Sequence, residues 1–209
     1  MIVIGVVGGI ASGKSFVTEQ LQSHGAVILD ADRIGHEVLL RESVKQALRE
    51  EWGDAVFDSA GEVDRKQLAE IVFDPAEPER LEQLERITHP LIAAQLQQEI
   101  DRLANSEGVN VLVLDAPVMV KAGWHVLCDL IVFVEASLEQ RLARVVERGW
   151  SAEMFHNREA MQAGIDKKRQ ISKHVIDNNG TLEDAINQVR ELWDGIQNRQ
   201  TFNNPTSVD

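Results

Sequence analysis

The chain has 209 residues, 44% hydrophobic and 26% charged, with a formal charge of -13. That length suits one domain, or one core with an inserted subdomain, and the hydrophobic content excludes wholesale disorder. A single cysteine, Cys128, excludes an intramolecular disulfide framework, no apolar run approaches the roughly 20 residues of a membrane span, and the negative charge argues against nonspecific binding to nucleic acid or anionic membrane.

The opening MIVIGVVGGI has no basic leader and is read as mature structure of a cytoplasmic protein, in keeping with the lone cysteine. Ile2–Val7 is continuously apolar and rich in Val and Ile, the pattern of a strand buried on both faces. A Gly-rich stretch, Gly8 to Ser15, follows, and then helical spacing over Phe16–Ser23. A second short strand, Val27–Leu29, ends in Asp30-Ala31-Asp32. The next strand pattern lies about eighty residues on, too far for a simple crossover connection, so residues 33–107 are predicted to form a helical insertion. Its helical patterns are Glu37–Trp52, Arg65–Val72 and Leu81–Asn105, with a joint at Asp74-Pro75 to Pro78. Pro90 is expected to break the last of these and to start a new helix.

Strand patterns resume at Val109–Leu114, followed by Asp115, and at Leu130–Val134, with a weaker one at His174–Asp177. Helical spacing over Ser137–Arg148 separates the last two, and the tail from Thr201 is polar and expected to fray. Strand alternating with helix predicts an α/β fold with a parallel sheet covered on both sides. Within residues 141–173, eight Lys/Arg face four acids, so that segment is +4 and the rest of the chain -17. A basic segment on an acidic body suits a compact polyanion bound locally; a solvated helix face laced with ion pairs would look the same.

Gly8-Gly9-Ile10-Ala11-Ser12-Gly13-Lys14-Ser15 matches G-x-x-x-x-G-K-[ST] in full, with a strand before it and a helix after it. Glycines let backbone N–H groups turn inward around a phosphate, and the following helix directs its positive end at the same anion. Lys14 would reach the β- and γ-phosphates of ATP, and the Ser15 hydroxyl would join the shell of a Mg²⁺ ion. No N-K-x-D element accompanies the loop, and Asp58-Ser59-Ala60-Gly61 follows no apolar strand and reads as a turn, so a guanine-nucleotide switch is not indicated. A large motor ATPase would need more chain. What remains is a small kinase. Asp30 and Asp32 end the second strand, where ligands of open parallel sheets gather; Asp30 suits a helix cap and Asp32 an acceptor hydroxyl.

The chain resembles the dephospho-coenzyme A kinase family over about residues 2–195. The likeness rests on Gly8 to Ser15, Asp30-Ala31-Asp32-Arg33-Ile34, Gly61 to Leu68, Val72-Phe73, Leu81 to Glu85, His89-Pro90-Leu91-Ile92, Asp115-Ala116-Pro117, Gln140-Arg141-Leu142, Arg158 to Gln162 and Val175 to Gly180. It implies a P-loop kinase core with a five-stranded parallel sheet flanked by helices, built from residues 1–32, 108–143 and 169–200. It also implies an acceptor-binding helical insertion at 33–107 and a helical lid at 144–168. The implied reaction is attack of the ribose 3′-hydroxyl of dephospho-coenzyme A on the γ-phosphorus of Mg·ATP.

Asp32 would then take the hydroxyl proton, and Lys14 and Arg141 would stabilise the transferring group. Arg148 and Arg158 would reach the phosphates from the lid, and Asn178 the surroundings of the adenine. His89 and Pro90 would lie near the acceptor, and Asp115 with Ser15 near Mg²⁺. Arg144 and Arg169 read as ordinary surface charges. Ala11 departs from the usual loop glycine, which suits a residue with negative φ, and Lys121 stands where an acid is common. A kinase for another small acceptor, such as a nucleoside monophosphate, and a noncatalytic ATP sensor are the alternatives. ATP and the acceptor are the expected partners of a monomer or weak homo-oligomer. The six histidines show no i, i+4 pair, so a zinc site is not expected, and Cys128 reads as core packing.

Overall fold

The long apolar runs become the middle of a five-stranded sheet. In the computed structural model, which describes residues 1–203, with side chains to 198, β1 (Ile2–Gly8), β2 (Val27–Asp30), β3 (Val111–Asp115), β4 (Leu130–Glu135) and β5 (His174–Asp177) lie in the order β2-β3-β1-β4-β5. The pairs β1–β3, β1–β4 and β4–β5 are parallel, in registers that set Ile4 beside Val113 and Leu130, and Val134 beside Ile176. β1 is central and its neighbours come from later in the chain, so the order reverses at its carboxyl end. That is where open parallel sheets present a ligand crevice.

On one face Ile4, Val6, Val111, Val113, Val132, Val134 and Ile176 pack against Val17 and Leu21 of α1 (Lys14–Ser23) and Val189, Leu192 and Ile196 of α9 (Leu182–Asn203). Burial on both faces explains why the strands read as unbroken apolar runs. The helix α9 carries the backbone to Asn203, so the polar tail starts later than Thr201; its last residues, 204–209, lie outside the described residues. No helix among the described residues is long and apolar enough to cross a membrane.

The chain divides into two compact units, Met1–Leu29 with the chain from Ala104 onward, and Asp30–Leu103. The second is helical: α2 (Ala31–Leu39), α3 (Glu42–Trp52), α4 (Arg65–Val72) and α5 (Glu79–Ala104). The pattern read as one helix over 37–52 breaks at Leu40-Arg41. Ile34 and Val38 are buried one turn apart in α2, and Val44 and Leu48 in α3. The step of six from Val38 to Val44 fits no single 3.6-residue stripe, so one straight helix could not bury both pairs.

Pro90 does not break α5, contrary to expectation. Thr88, Ile92, Leu96 and Ile100 form one buried stripe at i, i+4 spacing straight through it. Pro90 itself is exposed. Continuous burial of that stripe outweighs the lost hydrogen bond, about 3 kcal/mol in an isolated helix. Asp58 to Gly61 forms the turn expected of it: the Asp58 carboxylate accepts from Ala60 N and Glu62 N at 2.9 Å each, beneath a bridge pairing Phe57 with Val63.

Candidate active site

The Gly8–Ser15 segment turns sharply from β1 into α1. Gly13, immediately before the helix, has φ +102°, a conformation that favours glycine. At Gly8 an added Cβ would lie 2.6 Å from Ser12 Oγ and 2.7 Å from the Val134 carbonyl, and at Gly9 it would lie 2.9 Å from Arg141 Cζ. A side chain at either position would push into its neighbours. Ala11 is the exception to expectation: its φ is +58°, left-handed rather than negative. Its methyl is buried with Ile10, Val145 and Phe155, against which Leu142 and Trp150 pack.

Lys14 lies with its Nζ donating to the Gly9 carbonyl at 2.9 Å and to the Gly8 carbonyl at 3.4 Å. Burial pushes its pKa down to about 8; Asp115 and Glu159 work against that shift, while Arg141 and Arg148 reinforce it. Those causes bring together five of the charged groups around the loop. Asp115 ends β3, and Arg141 lies within α6 (Leu138–Glu147), whose C-cap is Arg148. Arg141 is 5% exposed, pairs with Glu159 of α7 (Ala152–Ala160), and places its guanidinium 5.3 Å from the centre of the Phe155 ring. Arg158 stacks on Trp150 at 4.3 Å.

Two buried polar atoms here, Ser12 Oγ and Arg141 Nε, have no hydrogen-bond partner among the described residues. Buried polar groups are ordinarily paired, and such exceptions cluster at functional sites. Orphaned donors, a left-handed glycine before a helix and excess positive charge suit the phosphates of a nucleotide.

Arg144 is not the surface charge its sequence context suggests. Its guanidinium donates to the carbonyls of Ala11 and Ser12 at 3.2 Å each, to that of Asn178 at 3.1 Å and to Gln140 Oε1 at 3.2 Å. Asn178 is buried, and its Nδ2 donates to the Ser12 carbonyl at 2.7 Å. Together they brace the outer side of the loop against the chain that follows β5. The missed signal was spacing: Arg141, Arg144 and Arg148 fall at i, i+3 and i+7, on one helix face. Arg169 does behave as surface charge, 45% exposed in its side chain and 3.8 Å from Glu135.

Lys168, in α8 (Ile165–Ile171), was also missed. It is 3% exposed, with its Nζ donating to the Gly8 carbonyl at 3.1 Å and to Gln162 Oε1 at 2.7 Å. Its signal was a lysine at the apolar position of a short helix, three residues from both Ile165 and Ile171.

In the helical unit, Asp30 caps α2, its carboxylate accepting from Asp32 N at 2.8 Å and Arg33 N at 3.1 Å. Asp32 is exposed, yet its carboxyl is raised above the usual carboxylate value, first by desolvation and then by the Asp30 charge, with His36 opposing. A carboxyl so shifted suits exchange of a proton with a hydroxyl. His89 is half-buried on α5 beside the exposed Pro90, and Lys121 is exposed. Cys128 lies just before β4, outside any strand, and burial pushes its thiol up to about 12.

A family model described as dephospho-CoA kinase matches residues 2–184. Among curated proteins, the dephospho-CoA kinase of Streptomyces avermitilis is 37% identical over 201 residues, covering 95% of this chain and 96% of its own. That of Thermobifida fusca is 34% identical over 203 residues, covering 95% and 98%. Among solved structures, TT1252 from Thermus thermophilus superposes with a TM-score of 0.74 at 33% identity, covering 93% of this chain and 97% of that one. Shikimate kinase from Acinetobacter baumannii, at 14% identity and a TM-score of 0.52 over 95% and 94%, shares the fold alone. With a matched model spanning most of its length and relatives aligned nearly end to end, the chain belongs to the dephospho-CoA kinase family.

Proposed function

We propose that this chain transfers the γ-phosphoryl group of ATP to the 3′-hydroxyl of dephospho-coenzyme A, giving coenzyme A and ADP, through the residues assigned below. The observation that carries the reading is the family match over residues 2–184, which includes both the loop and Asp32. The backbone N–H groups of residues 9–15 and Lys14 hold the β- and γ-phosphates. Arg141 adds a second, nearly buried cation, and Arg148 and Arg158 add charge from the lid segment 144–168. Because phosphoryl transfer asks little covalent work of the protein, these donors supply the catalysis by stabilising charge on the moving group.

Asp32 orients the acceptor hydroxyl and takes its proton, and its raised pKa brings it nearer to the proton it must accept. The helical insertion, residues 33–107, binds the acceptor, with His89 and Pro90 in contact with it. Asn178 lies close to the adenine and keeps the loop in place through Ser12. One hydroxyl and one carboxylate, Ser15 and Asp115, are hard oxygen donors that suit Mg²⁺, which prefers few protein ligands beside phosphate oxygens and water. When bound there, the ion would neutralise charge on the β- and γ-phosphates. The reaction belongs in the cytoplasm.

Release of ADP, measured with dephospho-coenzyme A, with nucleoside monophosphates and without acceptor, tests the assignment. Turnover is expected with dephospho-coenzyme A. Turnover with a nucleoside monophosphate alone, or nucleotide binding with no acceptor-dependent turnover, would reject it.

A further inference from the structure

Lys168 is the least exposed charged residue among the described residues, at 3%. Its ammonium meets the carbonyl of Gly8, the last residue of β1, which also accepts a longer bond from Lys14. Two ammonium groups thus converge on one strand end, and they line the same narrow cleft together with Val7, Ala116, Pro117 and Met119. The arrangement is costly. Burial first, then the charge of Lys14, push Lys168 down to about 8; Glu159 offsets this and Arg141 adds to it.

A methionine or leucine would fill the position without that penalty, because burying charge beside like charge is seldom the stable choice. The second hydrogen bond, to Gln162 Oε1 at 2.7 Å, ties the same ammonium to the connection between α7 and α8.

We propose that Lys168 is a positioning residue for phosphoryl transfer. By sharing the Gly8 carbonyl and repelling Lys14, it keeps the Lys14 ammonium displaced toward its Gly9 contact, and through Gln162 it makes that placement depend on the segment leaving α7. Were Lys168 absent, Lys14 would be free to settle on Gly8 and withdraw from the phosphates. The inference rests on the reading of residues 8–15 as the ATP phosphate site.

The test compares wild type, Lys168→Met and Lys168→Arg in steady-state transfer to dephospho-coenzyme A, alongside thermal unfolding at pH 7.5. Lys168→Met is expected to lower kcat at least about ten-fold with KM for ATP changed less than about three-fold, because the loop amides still bind the phosphates. Its thermal midpoint should equal or exceed that of wild type. Lys168→Arg, which keeps charge and donors, should recover most of the loss.

Wild-type kcat in Lys168→Met, or a loss of kcat matched by a lowered midpoint and unrescued by arginine, overturns the proposal. If Lys168→Met does not fold, Gln162→Leu removes the second hydrogen bond and should lower kcat several-fold at constant KM; unchanged kcat there overturns it equally. A wild-type protein that transfers to a different acceptor would refute the assigned reaction instead, and the same comparison would be made with that acceptor. A wild type that transfers to none refutes both.

Discussion

Removing Arg144 should cost both stability and nucleotide affinity. Its guanidinium donates to three main-chain carbonyls, those of Ala11, Ser12 and Asn178, at 3.1–3.2 Å. A charged hydrogen bond contributes about 1.5–3 kcal/mol when well made and buried. These are long and half-buried, and Ser12 keeps its bond from Asn178 at 2.7 Å, so about 0.5–1 kcal/mol each is the appropriate scale. The sum for Arg144→Ala is then about 2 kcal/mol, which lowers the thermal midpoint by about 4–8 °C in a chain of this size. The loop would lose its outer brace, and KM for ATP should rise several-fold while KM for the acceptor stays put. Arg169→Ala is the control: with Glu135 3.8 Å away and its own side chain 45% exposed, it should shift the midpoint by no more than a surface ion pair does, about 1–2 °C. A midpoint within 1 °C of wild type and an unaltered KM for ATP in Arg144→Ala would refute the reasoning, because they would mean that the carbonyls need no guanidinium.

Asp32→Asn should abolish turnover with ATP affinity nearly unchanged, as measured by nucleotide titration and acceptor-dependent ADP release. Since Asp32 must be ionised to act and its pKa is raised partly by Asp30, activity should fall with decreasing pH above the usual carboxylate range. Asp30→Asn, which preserves a good helix cap, should move that acid limb downward. Ala11→Gly sets relief of left-handed strain, about 1 kcal/mol, against loss of a buried methyl and the entropy of glycine, together of similar size. Denaturant unfolding should therefore show a change of less than about 1 kcal/mol. Lys168 gives a stability profile with a definite sign: its pKa is about 8 in the folded chain against 10.5 ordinarily. The unfolded chain therefore binds more protons between those values, and stability rises with pH through that window by up to about 3 kcal/mol. The stability difference between wild type and Lys168→Met, measured at pH 7.5 and 9.5, should shift in favour of wild type at the higher pH; an unchanged difference would refute the shift.

The elements most legible in the sequence were those in which one physical demand dominates. Strands buried on both faces admit little but Val, Ile and Leu, so β1, β3 and β4 stood out from composition alone. The cap at Asp30 was equally local, its carboxylate accepting two backbone N–H bonds. Where demands competed, the reading failed. Pro90 was given its intrinsic preference, and the buried stripe from Thr88 to Ile100 overrode it. Ala11 was expected at negative φ because alanine prefers it, but the turn from β1 into α1 needs a left-handed residue there whatever its side chain.

The site divides along the same line. The loop was found because its amides, helix terminus and lysine are consecutive in the chain. Two of its supports, Arg144 and Lys168, were not, because they come from residues more than a hundred positions away. The surplus charge of residues 141–173 was visible, yet charge counting treats all eight cations as equivalent. The structure distinguishes them by depth: Arg141 and Lys168 are buried at 5% and 3% exposure, while Arg169 is on the surface. Burying a cation costs several kcal/mol unless it is paired; Glu159 bears on Lys14, Lys168 and Arg141, and Asp115 bears on Lys14. Two carboxylates do not balance these three cations and Arg148, which also bears on Lys14. On the proposed assignment a triphosphate supplies the remaining negative charge, so the folded chain would carry as an internal cost the attraction that it releases on binding its nucleotide.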